Sequence, residues 1–174
     1  HLAWTDQLTL TSLRDAHAFQ SILENDYDDP VAFINDAAES GAQESPAELL
    51  NTWTTGRREL SKAFASADQN ERFPWFGPAM KVRSLITALI METWAHGQDV
   101  ANTLGNTWEP TEALKDIAHL GYATREFAYS INGLSAPTTP VYLELEGPTG
   151  QIWTWGSSDI ENQIIGSAWD FALL

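Results

Sequence analysis

The segment from Pro78 to Leu104 constrains this chain most. Along it Val82, Leu85, Leu89, Glu92, His96 and Asp99 recur at intervals of three and four residues, the spacing of one face of an α-helix. Pro78 suits a first helical turn and Gly105 a stop. Such a helix is roughly 40 Å long, and its apolar stripe is the inward face of a bundle helix. The lower half of that stripe is hydrocarbon. The upper half puts a carboxylate, an imidazole and a second carboxylate where a core is expected. An unpaired buried carboxylate costs several kcal/mol, and a divalent cation compensates it most simply. Glu92 and His96 lie one turn apart on one face, so both can reach one ion at roughly 2.0–2.2 Å.

Two ligands do not close a site. His1 is the candidate third, at the start of another helical segment and followed by Leu2, Ala3 and Trp4. His17 stands roughly 24 Å farther along that predicted helix, too far to share an ion with His1. His119 falls in a later helix, and both read as structural. Three protein ligands, two His and one Glu, would leave a coordination position open for water or substrate, the pattern of catalytic rather than structural zinc. Nickel, iron(II) or manganese also accept these ligand types. Asp99 reads as a solvated or supporting acid, Arg57 and Arg58 as a solvated helix face. Without an ion, the alternative is an ordinary Glu92–His96 pair.

The other elements follow from local signals. Residues 1–25 read as one helix over Leu2, Leu8, Leu13, Phe19 and Leu23. Asp26, Asp28, Asp29 and Pro30 form a loop, and residues 31–39 a short helix. Ser45-Pro46-Ala47-Glu48 is a capping box opening a helix to about Ser66. Residues 68–77 read as a loop whose aromatics, Phe73, Trp75 and Phe76, cover something. A further helix spans 111–131, closed by Asn132-Gly133. Residues 141–146 alternate as a strand and 151–155 return as its hairpin partner. Ser158-Asp159-Ile160-Glu161 reads as a second capping box before a last helix. The expected class is mainly α: a helical bundle over 1–106, then a small α+β piece over 107–174 with the hairpin at 141–155.

Charge and composition exclude other classes. Nine Lys and Arg stand against 24 Asp and Glu, a net charge of −15. After Arg83 only Lys115 and Arg125 are cationic. No basic stripe exists to displace phosphate counterions, so nucleic acid is not an expected partner. No apolar run reaches membrane-spanning length, no leader pattern opens the sequence, and a cytoplasmic location is expected. There is no cysteine, which removes disulfides, thiolate ligands and an internal thiol nucleophile. Any thiol chemistry must use a thiol from outside.

Three stretches carry a family likeness. His1-Leu2-Ala3-Trp4, Trp75-Phe76-Gly77-Pro78-Ala79-Met80 and Met91-Glu92-Thr93-Trp94-Ala95-His96-Gly97-Gln98-Asp99-Val100 together resemble the actinobacterial metal-binding relatives of mycothiol-dependent maleylpyruvate isomerase. The likeness implies a DinB-like bundle, with its first helix expected ahead of His1 and its last segment expected beyond Leu174. It also implies a metal triad of His1, Glu92 and His96, and zinc as the ion. Mycothiol would be held as a thiolate that attacks an electrophilic substrate, in isomerase or transferase chemistry. Maleylpyruvate is a dicarboxylate, and the scarcity of cations makes it a poor fit as the substrate. The expected partners are a small-molecule thiol and an electrophile, with a homodimer left open and neither membrane nor nucleic acid. The alternative is a non-catalytic module, braced by metal, whose hairpin and aromatic loop bind a small ligand or a partner.

Overall fold

The computed structural model describes residues 1–25 and 27–174. Asp26, part of the expected acidic loop, lies outside them. Among the described residues the chain is 59% helical with eight helices and a small β content. This is the mainly α architecture with an α+β piece expected from the sequence. Two compact units divide it, His1–Leu89 and Ile90–Leu174.

The first unit begins with α1 (Leu2–Arg14) and α2 (Ala16–Asn25), where the sequence suggested one helix. Asp15 makes the break. Its backbone is extended at φ −148°, its N–H still donates to Thr11 O, and its Oδ1 accepts from Ala18 N at 2.9 Å. One aspartate thus ends α1 and caps α2. Asp29 caps α3 (Pro30–Gly41) in the same way, accepting from Val31 N and Ala32 N. α4 (Pro46–Ser66) opens on the full Ser45/Glu48 capping box.

The aromatic loop corrects the reading of residues 68–81. It is a two-stranded antiparallel ribbon, β1 (Arg72–Trp75) and β2 (Gly77–Lys81), with an irregularity between Phe73 and Trp75. The long helix α5 (Val82–Leu104) therefore starts after Lys81 rather than at Pro78. Ribbon pairing of Phe73 with Met80 and the Arg72 guanidinium on Ala79 O hold residues 78–81 extended. The ribbon is tied to α1 by the Ser12 hydroxyl, which donates to Pro74 O at 2.6 Å. α1 packs along α4. The core joins Leu10, Leu60, Ala63 and Leu89 to a neighbouring set of Phe73, Val82 and Leu85. Each large side chain fully buried there is worth about 1.5–3 kcal/mol.

The second unit contains the remainder of α5, then α6 (Ala113–Ala123) and α7 (Arg125–Ile131), which divide at Thr124 where one helix was expected. β3 (Tyr142–Glu146) and β4 (Ile152–Trp155) form the expected hairpin, with Leu143 opposite Trp155 and Leu145 opposite Trp153. Beyond it the expectation fails. Ser158–Glu161 starts no helix; the chain turns and β5 (Gln163–Ser167) runs parallel to β3, giving the order β4-β3-β5. Ser167, not Ser158, caps the last helix, α8 (Ala168–Ala172). A β-branched pair, Ile164-Ile165, prefers the strand. The sheet and helices enclose Trp94, Leu114, Ile117, Ala118, Leu143, Leu145, Trp153 and Ala168. Trp94 meets Trp169 edge-on at 5.7 Å.

Candidate metal centre

α5 carries Glu92, His96 and Asp99. Its register is set at the start by Val82, Leu85 and Leu89, at 0%, 0% and 4% exposure. Its end is set by Gly105, whose φ of +68° lets the chain leave the helix while Asn106 N bonds back to Ala101 O. The same stripe then emerges toward solvent. The side chains of Glu92, His96 and Asp99 are 30%, 44% and 77% exposed. The expectation of a fully inward stripe is thus corrected: its hydrocarbon half is core, and its polar half is partly exposed.

Glu92 and His96 are brought together as their spacing requires. Oε2 of Glu92 lies 3.4 Å from Nε2 of His96. On the other side of the ring Nδ1 stands 3.5 Å from Oδ2 of Asp99. A carboxylate beside Nδ1 favours the tautomer that leaves the Nε2 lone pair for a cation. Glu92 offers its oxygen on that same side. The donor set is therefore a hard oxygen and a borderline imidazole on one helical turn, a fit for zinc and its neighbours.

Trp108 is a neighbour that the sequence reading missed. Its six-membered ring occupies the place where a Cβ on Gly97 would stand, 2.2 Å from Cη2. Any larger residue beside His96 would displace the indole. A glycine in the middle of an otherwise strong helix was the available signal.

His1 occupies the N-cap position of α1 in the N-terminal unit, where its carbonyl accepts from Thr5 N at 2.9 Å. Its Nε2 stands 3.4 Å from the Thr5 hydroxyl, and its ring lies 5.6 Å from that of Trp4. His17 is exposed on α2. His119 accepts a 3.1 Å hydrogen bond from Trp155 Nε1 on Nδ1, in keeping with a structural role.

Asp6, two residues beyond Trp4 on α1, is fully buried, and Arg57 Nε donates to its Oδ2 at 2.6 Å. Burial holds the Asp6 carboxyl above its ordinary range, against the opposing pull of the Arg57 hydrogen bond and charge. Arg57 is thus a partner inside the unit rather than part of a solvated face.

Residues 1–101 match the family described as "Mycothiol maleylpyruvate isomerase N-terminal domain". Two uncharacterized proteins, from two strains of Mycobacterium tuberculosis, are each 42% identical to the chain. The alignment covers 100% of this chain and 68% of each relative. No solved structure matches significantly. Among the described residues no helix is long and apolar enough to cross a membrane. With the Glu-x-x-x-His pair lying inside the matched region, the chain belongs to the mycothiol maleylpyruvate isomerase N-terminal domain family.

Proposed function

We propose that His1, Glu92 and His96 hold one divalent cation, zinc by preference, and that the centre uses an external low-molecular-weight thiol, mycothiol, in isomerase or transferase chemistry. The observation that carries this reading is the Glu92–His96 pair, 3.4 Å apart on the half-open turn of α5, in a chain of this family. Further support comes from the donor types: two imidazoles and one carboxylate are ligands that zinc accepts at a site with an open position. A bound zinc would supply Lewis acidity, lowering the pKa of a coordinated thiol so that it stands ready as a thiolate nucleophile at neutral pH. The chain's own part is to present two imidazoles and one carboxylate and to leave a position open. The absence of cysteine agrees with a thiol drawn from outside, and a cytoplasmic setting belongs to the same reading.

Cobalt substitution tests it. Cobalt(II) is spectroscopically visible and accepts the same ligands. Titrating the cobalt-loaded chain with mycothiol is expected to raise a thiolate-to-metal charge-transfer band and to alter the visible ligand-field bands. A cobalt-loaded chain whose spectrum mycothiol leaves unchanged would reject the thiol role and favour a metal that only braces the fold.

A further inference from the structure

The sheet of the C-terminal unit ends on an unguarded strand. Among the described residues β5 pairs with β3 alone, so one of its sides is open. Tyr142 N donates to Asn162 O at 2.9 Å. Backbone groups alternate sides along a strand, so Ile164 and Gly166 face β3. Gln163 and Ile165 direct their N–H and C=O away from it. Open edges are commonly defended by a charge, a proline or a bulge. Residues 163–167, Gln-Ile-Ile-Gly-Ser, have neither charge nor proline, and they pair with β3 without a register shift. Ile164 and Ile165 stand 45% and 63% exposed. The opposite edge differs. On β4, Lys115 of α6 lies over Trp153, and Trp155 donates to His119 of the same helix.

The two faces of the β5 edge ask for different side chains. On the core face Ile164 is the register partner of the buried Leu143, and an apolar residue on an added strand extends that face. On the outer face Ile165 is the partner of Glu144, and Ser167 of Glu146. The Tyr142 hydroxyl, donating to Glu144 Oε2 at 2.6 Å, holds that carboxylate in place. An added strand lies two strand spacings from β3, roughly 10 Å. A Lys or Arg can cross that distance with its methylene stem on Ile165 and its charge at the carboxylates. Asp159, Glu161 and Asp170 flank β5 in sequence. The two cations of the unit are engaged elsewhere: Lys115 over Trp153, and Arg125 over Tyr129 and on Pro137 O. A second copy would set Ile165 against Ile165 and add carboxylates instead of cations, so it complements this edge poorly.

We infer that β5 is the docking edge for an extended segment of another protein in which apolar residues alternate with Lys or Arg. The segment adds as a fourth strand. Its backbone bonds to Gln163 and Ile165, its apolar residues continue the core face beside Ile164, and its cations meet Glu144 and Glu146.

Fluorescence anisotropy of a dye-labelled Lys-Val-Lys-Val-Lys-Val-Lys peptide, titrated with the full chain, tests this. The peptide is expected to bind, more weakly as salt rises. A Lys-Gly repeat of equal length and charge, a poor strand former, should bind about tenfold more weakly. Ile165→Pro removes an outward N–H and leaves the ladder to β3 intact; it should weaken binding of the Lys-Val peptide about tenfold. Glu144→Gln should weaken it about fivefold, the upper end for an exposed ion pair, and carries the test if Ile165→Pro loses its native circular dichroism. Glu126→Gln, on α7, should change nothing. An equal loss in Glu126→Gln, or equal binding of the Lys-Gly repeat, would reduce the effect to general charge attraction and overturn the inference. Unchanged affinity in Glu144→Gln would overturn it too. Self-association of the free chain in sedimentation, abolished by Ile165→Pro, would assign the edge to a second copy and equally overturn it.

Discussion

Oε2 of Glu92 and Nε2 of His96 face each other at 3.4 Å across one turn of α5, while Oδ2 of Asp99 stands 3.5 Å from the other imidazole nitrogen. The two carboxylates differ in exposure, 30% for Glu92 against 77% for Asp99. Water screens the second far more than the first. Asp99→Asn is therefore expected to weaken metal binding by no more than about tenfold, the lower end for groups that orient a ligating histidine. Glu92→Gln should lose far more. Competition with a chromophoric chelator measures both. A greater loss from Asp99→Asn than from Glu92→Gln would exchange their roles.

The Asp6–Arg57 pair should dominate the polar stability of the N-terminal unit. Asp6 is buried, and removing its partner strands a carboxylate away from water. Arg57→Ala is expected to cost about 3 kcal/mol, the low end for a broken buried pair, because the Arg57 side chain keeps 35% of its surface exposed. Arg14→Ala, which breaks an open pair with Glu59, should cost less than about 1 kcal/mol. Urea unfolding of the two variants checks the order, and equal losses would contradict it. The raised Asp6 carboxyl also sets a sign. The folded state holds this proton more tightly than the unfolded one, so its contribution to stability is fully present below the ordinary aspartate range and is lost as pH rises through the raised value.

The Ser45/Glu48 box works the other way. Glu48 Oε2 accepts from Ser45 N at 3.1 Å and from the Ser45 hydroxyl at 2.5 Å. The hydroxyl bond is the main cause that holds the Glu48 carboxyl below its ordinary range. This contribution is present above the ordinary glutamate range and is lost as pH falls through the lowered value. Ser45→Ala should cost about 1 kcal/mol at neutral pH, and the difference from wild type should shrink in acid. Thermal unfolding at neutral and acid pH measures it. A difference that grows with acid would reverse the assignment.

What the sequence made legible was local. The i, i+4 spacing of Glu92 and His96 survives because both sit on one helix, whose register follows from Val82, Leu85 and Leu89. The Ser45 box and the 141–155 hairpin likewise depend on neighbours in sequence. The misreadings arise where distant contacts decide. Asp15 interrupts an apolar periodicity without any Gly or Pro to mark it. Residues 78–81 are drawn from helix into strand by pairing with Arg72–Trp75. Ile164 and Ile165 find β3, about twenty residues back, while the nearer Ser158–Glu161 pattern goes unused. Asp6 and Arg57, on different helices, showed nothing in sequence to couple them. The half-exposure of Glu92 and His96 was also out of reach, because periodicity reports which residues share a face and not where that face leaves the core.

A second titration tests the C-terminal sheet. The Tyr142 hydroxyl donates to Glu144 Oε2 at 2.6 Å, and this bond is the first cause that pushes the phenol above its ordinary value, about 10. The interaction is fully present below that value and is lost as pH rises through the raised one. Glu144→Gln removes the charge and should bring the phenol back down. Tyrosinate absorbance during alkaline titration reads this directly. No downward movement in Glu144→Gln would show that the hydrogen bond is not the cause.

The metal itself is tested most directly by elemental analysis after native purification, comparing the wild-type chain with a Glu92→Ala, His96→Ala double variant of matched helical content. One catalytic-type site of this donor set holds one ion, so the wild type should carry about one zinc per chain and the double variant none. A wild-type chain without any divalent metal, or a double variant that keeps its zinc, would contradict a centre built on His1, Glu92 and His96.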